Sequence, residues 1–533
     1  MLYDLLLKTV AVVAVLAAGT SLAMILAAKW RAAALKRANP DLTVYAVLIS
    51  PYSILILLNL IPSWVKLKFP RDWMWHRKFS QFENCTDSIF AICTYDSISV
   101  HVADPHLAHE VMVKRYKEFL KPVHHYRIVD IFGKNIVSTE GDEWRRHRKV
   151  AAPTFSERNN AYVHESSVQI AQRMFAAWEQ TSVSGTNGVK EHHVNVSSDM
   201  MEFALSVISS AGFGIDIAWH TEDDKSEFRI KKGNTLSFKQ ALETVVNRLP
   251  YYIITPKPLF YLPIKYLQDT KRGFVEFESY LDQVIDDAES ETSAEKPKNL
   301  LQMLAKSTFS QISEESKMTK SELKGNSFVF IFAGHETTAG VLTYALTMLA
   351  IHPEKQNKLF HDIKQELGNA TIPEYKDISK LRYAVAVMNE TMRLFPPVTS
   401  IPKFTATQTL SLGQFVFPAQ TMVNLAIAGL HYNPAAWGED AHAFKPERFM
   451  VGADGETPGA QFSRPGFAPF SEGPRGCLGK KFAQVEFLTL LALVSLNYTW
   501  RLPEGAKVDE VLDSTHVITL KPKKSIELLF SRR

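Results

Sequence analysis

The chain has 533 residues, 46% of them apolar, so it can bury a large core. Its net charge is only +4, which argues against a nucleic-acid polyanion as partner. Three cysteines, Cys85, Cys93 and Cys477, are too few and odd in number for a disulfide framework, and no Cys/His spacing fits zinc.

Thr9 to Ala28 carries no charge, and about 20 such residues span a hydrocarbon core. Lys29, Arg31, Lys36 and Arg37 follow, which sets that end on the cytosolic side. No signal-peptidase site precedes a polar mature start, so the expectation is an uncleaved membrane anchor. A second uncharged run, residues 42–61, holds Pro51 and is followed by Trp64, Lys66, Lys68, Arg71, Trp73 and Trp75. Two spans would carry the rest of the chain into the lumen. An interfacial or re-entrant segment is the preferred reading, and a second span is the alternative. Residues 1–64 then form the anchor region and residues 65–533 one large domain.

His101–Val113 reads as an early strand and helix. Trp144 and Arg148, four apart, share one helix face. Arg145 and Arg146 between them read as solvated cations. Thr181–Lys190 and Asp286–Asn299 are polar and read as surface loops, and Leu205–Phe213 as an apolar helix. A long apolar helix is predicted over Ser321–Ile351. Thr319 and Glu322 make its capping box, and His352-Pro353 stops it. It carries Ala333-Gly334-His335-Glu336-Thr337-Thr338. A further apolar helix, Leu381–Leu394, carries Glu390 and Arg393, spaced to pair. Pro446-Glu447-Arg448-Phe449 follows, then the Gly/Pro-rich stretch Val451–Gly466. The fold class is mainly α with small β-sheets.

Phe470-Ser471-Glu472-Gly473-Pro474-Arg475-Gly476-Cys477-Leu478-Gly479 sets Phe, Gly, Arg and Gly at fixed offsets around one cysteine. Gly473 and Gly476 allow a tight turn. A helix opening at Gly479 and running through Glu486 would aim its positive end at the sulfur and lower the thiol pKa. With the segments above, in this order, the chain resembles the cytochrome P450 family over nearly its whole length. It is most similar to fungal microsomal members around Gly141–Phe155 and Phe330–Thr338.

The resemblance implies the cytochrome P450 fold, a triangular prism of helices, behind the N-terminal anchor. It implies haem b (iron protoporphyrin IX) with Cys477 as the axial iron ligand. A thiolate there pushes electron density towards iron. Arg475, Trp144 and Arg148 are implied to reach haem propionates, and Phe470 belongs to the same cofactor-binding set. Lys403 stands where the family often has Arg, and lysine neutralises a propionate without binding it in a bidentate way. Glu336 and Thr337 match the acid–alcohol pair that delivers protons, and Gly334 the residue that leaves a groove for oxygen and water. Glu390, Arg393 and Arg448 match a buried structural network.

The implied reaction is insertion of one oxygen atom from O₂ into a lipophilic small molecule. Electrons would come from NADPH-cytochrome P450 reductase, with cytochrome b5 as a further partner, at the endoplasmic reticulum membrane. Lys480, Lys481, Arg145 and Arg146 would form the basic docking patch for the reductase. Substrate contact is implied from Phe119–Phe132, Leu249–Ile254, Pro258–Leu267, Phe328, Phe332 and Ala333, Val398–Ile401 and His516–Ile518. Secondary-metabolite biosynthesis, of terpenoids or polyketides, is the associated role. The alternatives are a P450-fold isomerase or dehydratase needing no O₂, a non-catalytic haem sensor, and a general xenobiotic or lipid hydroxylase. Five glycan acceptor patterns, at Asn84, Asn195, Asn369, Asn389 and Asn497, are expected to carry no sugar on a cytosolic domain.

Overall fold

The computed structural model describes residues 2–53, 56, 61, 67–180, 182–184, 190–217, 219, 233–290, 299–309, 317–405, 408–450, 465–516 and 518–533. The first helix, α1 (Leu2–Ala38), extends beyond the expected span at both ends. Among the described residues no helix is long and apolar enough to cross a membrane. The end of α1 docks on the body of the protein. Leu35 is buried there, and Asn39 accepts from the Val416 N–H at 2.7 Å and donates to the Val416 carbonyl at 2.9 Å.

Leu42 is fully buried, and Thr43–Ala46 forms β1, parallel to β2 (Ile89–Cys93). The start of the second hydrophobic run is therefore strand and core, not the beginning of a membrane helix. Residues 54, 55 and 57–60 of that run lie outside the described residues. Thr43, Val44 and Ile92 are the β-branched residues that favour this pairing.

The main sheet has six strands in the order β1, β2, β3 (Ile98–Val102), β10 (Met422–Leu425), β7 (Ile401–Thr405) and β4 (Phe119–Leu120). Register matters for the site. Leu120 pairs with Phe404, so Lys121 leaves the sheet close to Lys403. A second sheet runs β11 (Tyr498–Arg501), β14 (Glu527–Arg532), β6 (Lys190–Asn195), β5 (Ser182–Ser184). Two small hairpins are β8 (Leu410–Leu412) with β9 (Phe415–Phe417), and β12 (Ser514–His516) with β13 (Leu520–Pro522).

The remaining long helices are α2 (Gly141–Ala151), α3 (Glu157–Gln180), α4 (Val196–Val207), α5 (Phe238–Ile254), α6 (Lys265–Ser290) and α7 (Leu300–Phe309). Then come α8 (Lys320–Ile351), α9 (Pro353–Leu367), α10 (Arg382–Leu394) and α11 (Lys480–Asn497). The Thr319/Glu322 capping box is present at the start of α8. The mainly α architecture with small sheets is as expected. Three local readings change. Ser182–Ser184 is a strand, where a polar loop was expected, because β6 offers it a partner. Asp286–Ser290 stays helical as the end of α6. The expected Leu205–Phe213 helix is the end of α4 followed by a π-helical turn, Ile208–Gly212. Residues 451–464 of the expected irregular stretch lie outside the described residues.

One large core joins α3, α4, α8, α10 and α11. Each buried Leu, Ile or Phe in it contributes about 1.5–3 kcal/mol through removal from water. α8 is apolar nearly all round because neighbours cover most of its faces. That places the centre of α8 beside the start of α11, where the site forms.

Candidate active site

Cys477 ends a tight loop. Its N–H donates to the Phe470 carbonyl at 2.9 Å, and the Gly476 N–H donates to the Gly473 carbonyl at 3.0 Å. Gly473 sits at φ 68°, and a Cβ there would lie 2.4 Å from the Met112 carbonyl oxygen. Only glycine fits that approach. The Cys477 side chain is exposed to an internal cavity of about 400 Å³. Burial pushes its thiol pKa up, against the Gly479 N–H, Arg148 and Lys480, which all pull it down. The net direction is opposite to the expected lowering, because desolvation outweighs the helix terminus.

The same cavity is walled by α8. Ala333, Thr337 and Val341, spaced by four, form one stripe facing it, with Gly334 and Thr338 at the edge. The Thr337 hydroxyl donates to the Ala333 carbonyl at 2.8 Å. Glu336 does not line the cavity. Its carboxylate lies 3.9 Å from Lys521 on β13. Consecutive helical residues point about 100° apart, so Glu336 and Thr337 cannot share one face. Gly334 lines the cavity and also packs closely on the π-helical turn, since a Cβ there would meet Ile208 Cδ1 at 3.3 Å.

Phe328 and Phe332 face away from the cavity. The Phe328 ring packs on Phe132 at 4.9 Å and on Phe277 at 6.1 Å between centroids. Val329 and Phe330 take the wall positions. Val398 and Ile401 line the cavity as expected. Residues 249, 251–254, 258–267, 516 and 518 do not line it.

One end of the cavity is cationic. Lys121, Arg148, Lys403 and Arg475 all line it, with Trp144 and Phe470 beside them. The Arg148 guanidinium donates to the Gly476 carbonyl at 2.9 Å. The Arg475 guanidinium lies 3.9 Å over the Trp144 ring and donates to the Thr139 carbonyl at 3.1 Å. Arg475 also pairs with Glu140, which the sequence reading did not single out. Glu140 accepts from the Lys121 N–H at 2.7 Å and the Gly141 N–H at 3.1 Å, which ties β4 to the start of α2. Burial, then Arg475 and Lys403, push Lys121 down to about 7. Burial, then Arg475, push Lys403 down to about 8. Four cations here face one carboxylate, and buried surplus charge is costly without a counter-ion.

The structural network is as expected. Arg393 donates to both Glu390 carboxylate oxygens, at 2.7 and 2.8 Å, and Arg448 reaches Glu390 at 3.4 Å. Asn389, in the same helix, is buried, so a glycan does not fit there. Arg146 differs from expectation. It forms two hydrogen bonds to Glu322, at 2.6 and 2.8 Å, locking α2 to α8.

The cytochrome P450 family model matches residues 57–530. The chain belongs to the cytochrome P450 family. Cytochrome P450 monooxygenase 124 of Postia placenta is 34% identical over 483 residues, covering 86% of this chain and 88% of the relative. Cytochrome P450 monooxygenase prx9 of Penicillium rubens is 27% identical over 518 residues, covering 89% and 86%. The crystal structure of the cytochrome P450DA heme domain superposes with a TM-score of 0.67 at 20% identity, covering 84% of this chain and 90% of that one.

As a P450 monooxygenase, the protein is an oxidoreductase that uses a redox partner, dioxygen and a small-molecule substrate. A haem-thiolate cofactor fits the donor set. Cys477 supplies a soft sulfur ligand at the cavity floor. A metal-coordinated thiol is deprotonated outright, which reverses the effect of burial. The four cations match the two carboxylates of the porphyrin. The expected segment Phe119–Phe132 does line the cavity, through Lys121 and Tyr126. The place of Lys121 in the cationic end, and Glu140 altogether, were not legible, because neither sits in a periodic pattern or a motif. The signal, in hindsight, is a lysine just past the strand that pairs with the Lys403 strand.

Proposed function

We propose that the protein is a membrane-anchored monooxygenase that inserts one O₂-derived oxygen atom into a bulky lipophilic substrate, using haem b. The observation that carries this is that Cys477 and Thr337 line one and the same apolar cavity. When bound, the haem supplies O₂ activation, with electron density pushed from the thiolate. Arg148, Lys403 and Arg475, with Lys121, would hold the propionates, with Trp144 and Phe470 beside them. Thr337 holds a proton-donating hydroxyl at the cavity face, and Glu336 is the acid that resupplies it. Val329, Phe330, Val341, Met388, Val398 and Ile401 exclude water and select an apolar substrate.

Electrons come from NADPH through a microsomal reductase, with cytochrome b5 as an auxiliary donor. The Thr9–Ala28 run in α1 is the anchor, and the catalytic domain faces the cytosol at the endoplasmic reticulum. Support for membrane contact comes from exposed apolar residues at the α5–α6 junction, including Tyr251, Leu259, Tyr261 and Ile264. Tyr261 alone is 75% exposed, with the Lys271 ammonium 3.7 Å over its ring. The fungal relatives are named monooxygenases, which supports the reaction class. The role in secondary metabolism, on terpenoids or polyketides, is part of this proposal and rests on the family resemblance. The Thr337 hydroxyl at the cavity wall weighs against an isomerase that needs no protons or O₂.

The test is turnover of a lipophilic extract from the source organism with NADPH, reductase and ¹⁸O₂. The expected product carries one ¹⁸O atom and depends on NADPH. A product that forms without NADPH, or carries no ¹⁸O, would exclude the monooxygenase reading.

A further inference from the structure

α8 has two neighbouring stripes with different tasks. Ala333, Thr337 and Val341 face the cavity. Glu336, Gly340 and Tyr344, also spaced by four, face the β12–β13 hairpin. Glu336 lies 3.9 Å from the Lys521 ammonium. A Cβ on Gly340 would lie 3.4 Å from the Leu520 carbonyl oxygen. The Tyr344 hydroxyl bonds Ser514 at 2.7 Å. The hairpin is pinned on its far side by the Leu520 N–H, which donates to the Pro397 carbonyl at 2.9 Å.

Exposure runs outward along this stripe. The Glu336 side chain is 11% exposed and that of Lys521 is 49% exposed. The carboxylate therefore sits behind the lysine, between water and the helix. The next cations of the hairpin are engaged elsewhere, Lys523 with Asp513 at 2.9 Å and Lys524 with Glu510 at 3.4 Å. His335 is turned inward, its Nδ1 2.9 Å from the Ile331 carbonyl. Among the described residues, Lys521 is thus the cation within ion-pair reach of Glu336.

We propose that Lys521 is a positioning residue for proton delivery, holding the Glu336 carboxylate on the hairpin side of α8, at the water end of a path whose cavity end is Thr337. This rests on the reading of Glu336 as the resupplying acid. Glu336 takes a proton from water at the hairpin and gives it up across the helix towards the Thr337 hydroxyl, then is refilled from water. No bond other than O–H is made or broken. A half-exposed ion pair of this kind biases the carboxylate orientation only modestly.

The experiment uses the full, haem-loaded chain with NADPH and a microsomal reductase. It measures peroxide released per NADPH oxidised, in H₂O and in D₂O. Lys521→Met should raise peroxide release about 1.4- to fivefold, the factor that such an ion pair corresponds to. The solvent isotope effect on NADPH oxidation should rise with it, and Lys521→Arg should restore wild-type values. Lys521→Met should add nothing in a Glu336→Gln background. A readout independent of turnover is the Glu336 carboxylate band, taken as wild type minus Glu336→Gln in the infrared, which should shift in Lys521→Met. If Glu336→Gln leaves peroxide release unchanged, the acid reading itself fails and the proposal with it. If Glu336→Gln raises it but Lys521→Met behaves as wild type, or adds in full to Glu336→Gln, Lys521 has no positioning role.

Discussion

Arg393 closes on Glu390 through two hydrogen bonds, with both side chains fully buried. The remaining guanidinium donors go to the carbonyls of His431, Ala441 and Ala443. Arg448 completes the group and is itself tied to the Trp437 carbonyl at 2.9 Å. One ion pair thereby joins α10 to the segment that leads into the Cys477 loop. Removing one partner leaves an unpaired buried charge, which costs about 3–5 kcal/mol. Glu390→Leu should therefore lower the thermal midpoint sharply and reduce haem content on purification. A variant with wild-type midpoint and haem content would show that the network is dispensable.

Thr337→Ala removes the cavity-facing hydroxyl together with the γ-methyl group. Haem content and substrate-induced spectral shifts should stay the same. Product formed per NADPH should fall, by up to about 100-fold, with peroxide released in its place. Unchanged coupling would take Thr337 out of the catalytic set.

The long elements were legible because their signals are local. The capping box at Thr319 and Glu322, the stop at His352-Pro353 and the Cys477 loop are each read from adjacent residues, and all stand in the structure. What failed depended on helix phase and on distant partners. Phe328 and Phe332 looked like wall residues, yet Phe328 is turned to Phe132 and Phe277, and Phe332 stacks on Phe328. Arg146 looked solvated, yet Glu322 lies 176 positions away in sequence. Lys121 and Glu140 join the site only through strand register and the Arg475 pair.

Lys121 and Lys403 give a pH dependence whose sign can be worked out. Burial first, then Arg475, hold their folded values down at about 7 and about 8, against 10.5 in the unfolded chain. The unfolded chain therefore binds more protons between those values, and stability rises with pH through that window. An anion between the two lysines removes the effect. The thermal midpoint of haem-depleted protein should climb between about pH 7 and 10. Haem loading, or the double variant Lys121→Met with Lys403→Met, should flatten the profile. A flat profile in haem-depleted wild type would contradict the assigned cationic end.

The docking face also narrows. Arg146 is committed to Glu322, which leaves Lys480, Lys481 and the 57% exposed Arg145, itself paired with the exposed Asp142, for the proposed reductase patch. Charge reversal of Lys480 and Arg145 together should slow reductase-driven turnover, more at low salt than at 0.1 M, where the Debye length is about 10 Å. Peroxide-driven turnover should be nearly unchanged. An equal loss by both routes would make the patch structural.

The central claim is that Cys477 is the thiolate ligand of a haem in this cavity. The reduced carbon-monoxide difference spectrum of the purified full chain reads that bond directly. Wild type should show the thiolate-specific Soret shift, and Cys477→Ala should lose it while the fold, followed by circular dichroism, persists. Thiolate-type absorption that survives in Cys477→Ala would contradict the account.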